Sequence, residues 1–263
     1  MAAPLRWLRA WAAYLWGGWG AVASLLMLLA AWQLGAEALG PLLLPTPLAT
    51  FSTLGEWMGD ASLWTELAIT GRRALTGFAL AVGIGTLVGV VAGWSLGGAM
   101  LARPLITVLL GMPPIAWLVL ALLWFGSGDG TPVFTVCVAS LPVVFAAALQ
   151  GTRTLDAPLA DMARAFHLPW RQRMADVALP HLLSYLFPAW ITALGASWKV
   201  AVMAELLSSP DGVGAALAQA RSHLDTAGAL AWVVAVLGVL LALEYLLLEP
   251  IKRELEKWRE AAR

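Results

Sequence analysis

GTRTLDAPLADMARAFHLPWRQRMADVALP, residues 151–180, is the longest polar-rich interruption between strongly apolar stretches of this chain. Four of the sixteen basic residues lie in it: Arg153, Arg164, Arg171 and Arg173. Leu155, Leu159, Met162, Ala163 and Phe166 recur at i, i+4, i+7, i+8 and i+11, which is one stripe of an α-helix. Asp156 is placed to cap that helix, Pro158 falls in the first turn where no amide is needed, and Pro169 ends it. The spacing predicts a short amphipathic helix over about 156–168. Such a helix either lies on lipid or docks into a partner.

Composition sets the surroundings of that helix. The chain of 263 residues is 60% hydrophobic and 12% charged, against roughly 25% charged for soluble domains. It therefore reads as a polytopic, all-α membrane protein. Cys137 is the one cysteine, which excludes a disulfide framework and a cysteine metal site. The three histidines are scattered without ligand spacing, and no phosphate-binding Gly-x4-Gly-Lys-Ser/Thr loop occurs. No catalytic constellation emerges, no metal or cofactor is expected on this chain, and nothing suggests nucleic acid.

A bilayer crossing needs about 20 apolar residues. The first candidate runs from Trp11 to Leu34. Ala36-Glu37-Ala38 looks like a signal cleavage site, but the apolar run exceeds the 7–15 residues of a signal core, so a retained helix is expected. Further spans are expected near Arg73–Gly97, Pro104–Phe125, Pro132–Leu149, His181–Leu207 and Ala227–Leu248. The resulting division is an N-terminal transmembrane helix (1–36), a periplasmic connecting segment (37–71), a five-helix core (72–250) and a charged cytoplasmic tail (251–263). Lys and Arg orient the six helices. With both termini inside, Arg6, Arg9, Arg103, Arg153, Arg164, Arg171, Arg173, Lys252, Arg253, Lys257, Arg259 and Arg263 are cytoplasmic, twelve of the sixteen.

Three features suggest roles. Gly77, Ala81, Gly85, Gly89, Gly93 and Gly97 recur every four residues, a small-residue ridge suited to close helix packing. Gly111-Met112-Pro113-Pro114 interrupts the third span, as a kink or as the broken helix of a transport pathway, with Trp117 just beyond. Lys199, after Ser197, is the basic residue well inside an expected span, where a cation costs roughly 2.5–3.5 kcal/mol. It either meets an anionic solute, snorkels outward, or pairs with a carboxylate such as Glu205, although six residues of helix make that last pair awkward. Met112, Pro113, Trp117, Ser197, Lys199 and Glu205 are thus the candidate pathway residues.

The 151–180 stretch also resembles the EAA motif of binding-protein-dependent ABC importer permeases, E-A-A-x3-G-x9-I-x-L-P. Asp161-Met162-Ala163 stand at its first three positions and Val177, Leu179 and Pro180 at its end, with His167 where the motif has glycine. Arg73-Ala74-Leu75-Thr76-Gly77-Phe78, Leu123-Trp124-Phe125-Gly126, Ala204-Glu205-Leu206, Gly212-Val213-Gly214 and Leu44-Pro45-Thr46-Pro47 look like the nitrate/sulfonate/taurine subfamily. Ala146-Ala147 replace the Asn-Thr usual there. The resemblance implies a type I importer permease in a cytoplasmic (inner) membrane, paired with a second, identical copy. It implies two separate ATPase chains carrying ATP and Mg, a periplasmic solute-binding protein, and a small anionic solute. The amphipathic helix would then be a coupling helix contacting the ATPase through Asp161, Met162, Ala163, Arg164, Phe166 and His167, while Pro180 opens the fifth span. The alternatives are a secondary transporter, which should show internal repeats and intramembrane acid pairs, and a membrane scaffold, which needs a helix face rich in Lys and Arg. Neither pattern is present, since Asp161 shares its face with Arg164.

Overall fold

A computed structural model of the chain describes residues 3–154, 162, 165–243 and 245. All regular structure among them is helical. The helices are α1 (Ala3–Leu39), α2 (Pro47–Met58), α3 (Ala61–Gly93), α4 (Leu96–Gly111), α5 (Pro114–Phe125), α6 (Gly130–Arg153), α7 (Leu179–Ser208), α8 (Val213–Ser222) and α9 (Thr226–Ala242). A turn at Trp170–Gln172 and a π-helix at Arg173–Ala178 lead into α7.

Local chemistry explains most boundaries. Thr46 caps α2 by accepting from the Ala49 amide at 3.2 Å, and Pro47 fills the first helical position. Asp60 accepts from the Ser62 amide and starts α3 twelve residues before the expected Arg73, because capping lets the helix form ahead of the apolar run. Ser95 accepts from the Gly98 amide at 2.9 Å and starts α4. That cap also corrects the expected end of the second span: Gly97 lies in the next helix and faces open space. Helix α1 runs unbroken through Ala36-Glu37-Ala38.

The core is a seam between α3 and α6, which run parallel. A Cβ at Gly77 would lie 2.7 Å from the Val133 carbonyl, at Gly89 2.6 Å from the Ala148 Cβ, and at Gly93 2.7 Å from the Thr152 Cβ. At Gly85 it would lie 3.1 Å from the Leu141 carbonyl. Only bare backbone permits this approach, so the four-residue period is a packing face. Helix α7 packs antiparallel on the pair, joining Leu186 and Ala193 to Val144 and Ala148. A larger apolar cluster links Leu63, Leu67 and Ala74 to Trp198, Val213 and Trp232. At that same end the Trp57 and Trp232 rings sit 5.0 Å apart and Trp32 donates to the Pro45 carbonyl at 2.9 Å.

Four described helical runs are long and apolar enough to cross a bilayer: Val22–Leu39, Ala61–Gly93, Gly130–Arg153 and Trp170–Ser208. The α4–α5 pair would make a fifth, but it is bent by 91°. The expected third span is therefore broken into two arms. α9 is a shorter apolar helix, and the expected charged tail, 251–263, lies outside the described residues.

Candidate functional site

Near the α2 end of the bundle, one guanidinium gathers four helices. Arg73 on α3 is 1% exposed, although the sequence pointed to Lys199 as the buried cation. Its Nε donates to Asp129 Oδ1 at 2.7 Å, Nη1 to Glu205 Oε1 at 3.0 Å and to the Asp211 carbonyl at 2.9 Å, and Nη2 to Asp211 Oδ1 at 2.5 Å. Glu205 on α7 is fully buried. Its other oxygen accepts from Thr70 Oγ1 at 2.7 Å and from the Gly214 amide at 3.1 Å. Both oxygens of the buried carboxylate are thus engaged, which is what a buried charge needs.

The start of α8 belongs to the same knot. The Val213 amide donates to Thr70 Oγ1 at 2.9 Å and the Gly212 amide to Glu66 Oε2. Carboxylates from α3 and α7 thereby meet the positive end of the α8 dipole. Gly212 has φ 91° and a Cβ there would sit 2.5 Å from the Glu205 carboxyl carbon, so only glycine lets the chain turn here. Arg72 adds a contact to Asp129 Oδ2 at 2.5 Å on the exposed side. Hydrogen bonding from Arg73, against a smaller desolvation effect, holds the Asp129 carboxyl below the usual carboxylate range.

The bend between α4 and α5 is the second feature. Met112 and Pro113 have extended backbone, with ψ of 124° and 142°, so two residues turn the chain. Prolines at 113 and 114 withhold the amides that would continue α4. Trp117 is half-buried and its indole N–H has no partner among the described residues. Ser197 is buried on α7 and shares a 3.1 Å hydrogen bond with Ser140 of α6. Lys199 is exposed on the chain's surface. A Lys199–Glu205 pair does not form: Glu205 turns to Arg73 instead, as their angular separation on one helix requires.

The opposite end of the bundle carries residues 151–180. Asp161, Ala163 and Arg164 lie outside the described residues, as does most of the expected helix over 156–168. Met162 and Phe166 are exposed, at 51% and 74%, and Trp170 at 69%. His167 adopts φ 51°, the left-handed conformation that glycine takes freely. The Leu179 amide reaches back five residues to the Met174 carbonyl, closing a π-helical turn just before Pro180. Pro180 then sits at the start of α7.

The sequence reading missed the knot. Arg73 appeared there only in a motif, and Glu205 as a candidate pathway residue and possible partner of Lys199, never as the partner of Arg73. The available signal was Glu205 itself, an acid inside an apolar run that has to find a donor.

The chain is similar to known proteins over most of its length. Residues 81–257 match the family described as binding-protein-dependent transport system inner membrane component. A putative aliphatic sulfonates transport permease protein of Bacillus subtilis is 31% identical over 239 residues, covering 89% of this chain and 86% of that protein. The taurine transport system permease protein of Escherichia coli is 29% identical, covering 90% and 88%. The nitrate import permease protein of Synechococcus elongatus is 28% identical, covering 73% of each.

Proposed function

The chain belongs to the family of inner membrane components of binding-protein-dependent transport systems and is a multi-pass importer permease; from that premise we propose how it is coupled and what it carries. Two copies form the pathway. Two separate ATPase chains, holding ATP and Mg, dock at the 151–180 end, and this chain hydrolyses nothing. That end faces the cytoplasm together with both termini, so the Arg73 knot faces the periplasm, where a solute-binding protein delivers. The solute is a small anion of the sulfonate, taurine or nitrate kind, the chemistry for which the similar permeases are named.

The observation that carries the coupling is mechanical. Phe166 and Trp170 present apolar surface at one end of a nearly continuous helical run, Trp170–Ser208, which reaches Glu205 at the other end. A partner that grips Phe166 pulls on a rod of about 58 Å at 1.5 Å per residue. Asp161, Met162, Ala163, Arg164 and His167, its neighbours in sequence, are the other proposed contact positions. ATP-driven closure of the ATPases displaces α7, and the Met112–Pro113 bend supplies irregular backbone where the pathway needs polar groups. Trp117, Ser197 and Lys199 are the side chains assigned to that pathway.

The test is co-purification followed by transport. The wild-type protein is expected to bring down an ATPase chain. Phe166→Ala is expected to insert and assemble but to lose uptake coupled to ATP hydrolysis. Wild-type coupled hydrolysis in that variant overturns the docking assignment.

A further inference from the structure

Arg73 ties down two loops at once. Asp129 lies between α5 and α6, Asp211 lies between α7 and α8, and each is about half exposed, at 49% and 47%. Glu205, the third carboxylate on the same guanidinium, is fully buried. Water can receive either aspartate if it leaves Arg73, whereas Glu205 has no such exit. The knot therefore has a fixed inner half, on two helices, and a releasable rim, on two loops.

Each rim residue is attached to something that matters for transport. Asp129 closes the loop after α5, the second arm of the bent pair. That loop is stiffened by the Gly128 amide on the Ser208 carbonyl at 3.3 Å and by Thr131 Oγ1 on the Gly126 carbonyl at 2.7 Å. Asp211 immediately precedes Gly212-Val213-Gly214, whose amides are held by Glu66, Thr70 and Glu205.

The geometry points to Arg73 as a positioning residue that couples α8 to the bent α4–α5 pair. A partner pressing on α8 withdraws the Asp211 carboxylate from the guanidinium, Nη2 keeps only its 2.6 Å contact to Asp129 Oδ1, and the hold on the far end of α5 changes. Docking outside is thereby felt at the Met112–Pro113 bend without passing along α7. This inference rests on the orientation proposed above, which puts both loops on the side where the loaded binding protein arrives.

The test uses the assembled transporter, permease with its ATPase chains in lipid nanodiscs, and the purified solute-loaded binding protein. The readout is the ratio of ATP hydrolysis with and without that protein in Asp129→Asn, Asp211→Asn and the double variant. Each single variant is expected to lower the ratio at least about fivefold, the lower end of ordinary coupling energies. The double variant is expected to fall no further than the stronger single, because the two aspartates meet on Arg73 and the Arg72 contact to Asp129 is solvent-exposed and screened. Arg73→Lys, which keeps the charge but not the fork, is expected to match the double variant. Wild-type ratios in the singles, multiplied losses in the double, or failure of either single to assemble overturns the coupling role. An absence of any ATPase bound to the wild-type protein instead overturns the importer reading beneath it.

Discussion

The two ends of the bundle solve opposite problems. At the Arg73 end, four carboxylates, a hydroxyl and three backbone amides are matched inside one chain. At the 151–180 end, Met162, Phe166 and Trp170 are left exposed and His167 is held in a backbone conformation unfavourable to it. The lesson is that satisfaction within the chain marks the part that keeps its shape. Exposed apolar surface with local strain marks the part whose partner is another molecule.

The strongest way to break this contrast is Glu205→Ala. Arg73 would keep its aspartates but lose its buried partner, and Thr70 and Gly214 would lose their acceptor. The expected cost is about 3 kcal/mol or more, read as a lowered unfolding temperature in detergent; an unchanged midpoint would mean the knot carries little stability. Next is Gly89→Leu, which drives a side chain into Ala148 and the Phe145 carbonyl and should cost about 1–3 kcal/mol. Gly97→Leu, facing open space, should cost almost nothing, and equal losses at both positions would refute the seam. His167→Gly should stabilise by about 1 kcal/mol by relieving the left-handed conformation, an effect visible in the same melts. A destabilised His167→Gly would show that the imidazole itself is needed.

The smallest effect is that of acid on the rim. Asp129 binds its proton less readily when folded than when unfolded, so its contribution is complete above the usual carboxylate range. It is lost as the pH falls through the lowered value. Asp129→Asn is expected to flatten that acid limb of the stability curve slightly, since the group is half exposed and screened. An identical limb in wild type and variant removes Asp129 from the account.

Legibility in the sequence followed interaction range. The α3 ridge could be read because its period of four is local and backbone sterics allow one explanation. The proline pair at 113 and 114 fixed the place of the bend, but no local pattern states its 91°. The α3–α4 break at Trp94–Ser95 has no proline, and the ridge of glycines ran straight across it to Gly97. The Arg73 knot joins positions 129, 205 and 211 across long stretches of chain, so only the unpaired look of Glu205 could have announced it. Asp161, Ala163 and Arg164, central to the motif resemblance, lie outside the described residues.

Helix α3 has a last consequence. It is 33 residues long, about 50 Å at 1.5 Å per residue, while a hydrocarbon core is about 30 Å thick. From Arg73 to Gly93 the helix covers about 30 Å, the whole of that thickness. If the ridge fills the lipid, Arg73 stands at the headgroup boundary and the first three turns of α3 project beyond it. The guanidinium is then a depth mark as well as a fastener: it sets the level at which the membrane ends and the water-facing apparatus begins.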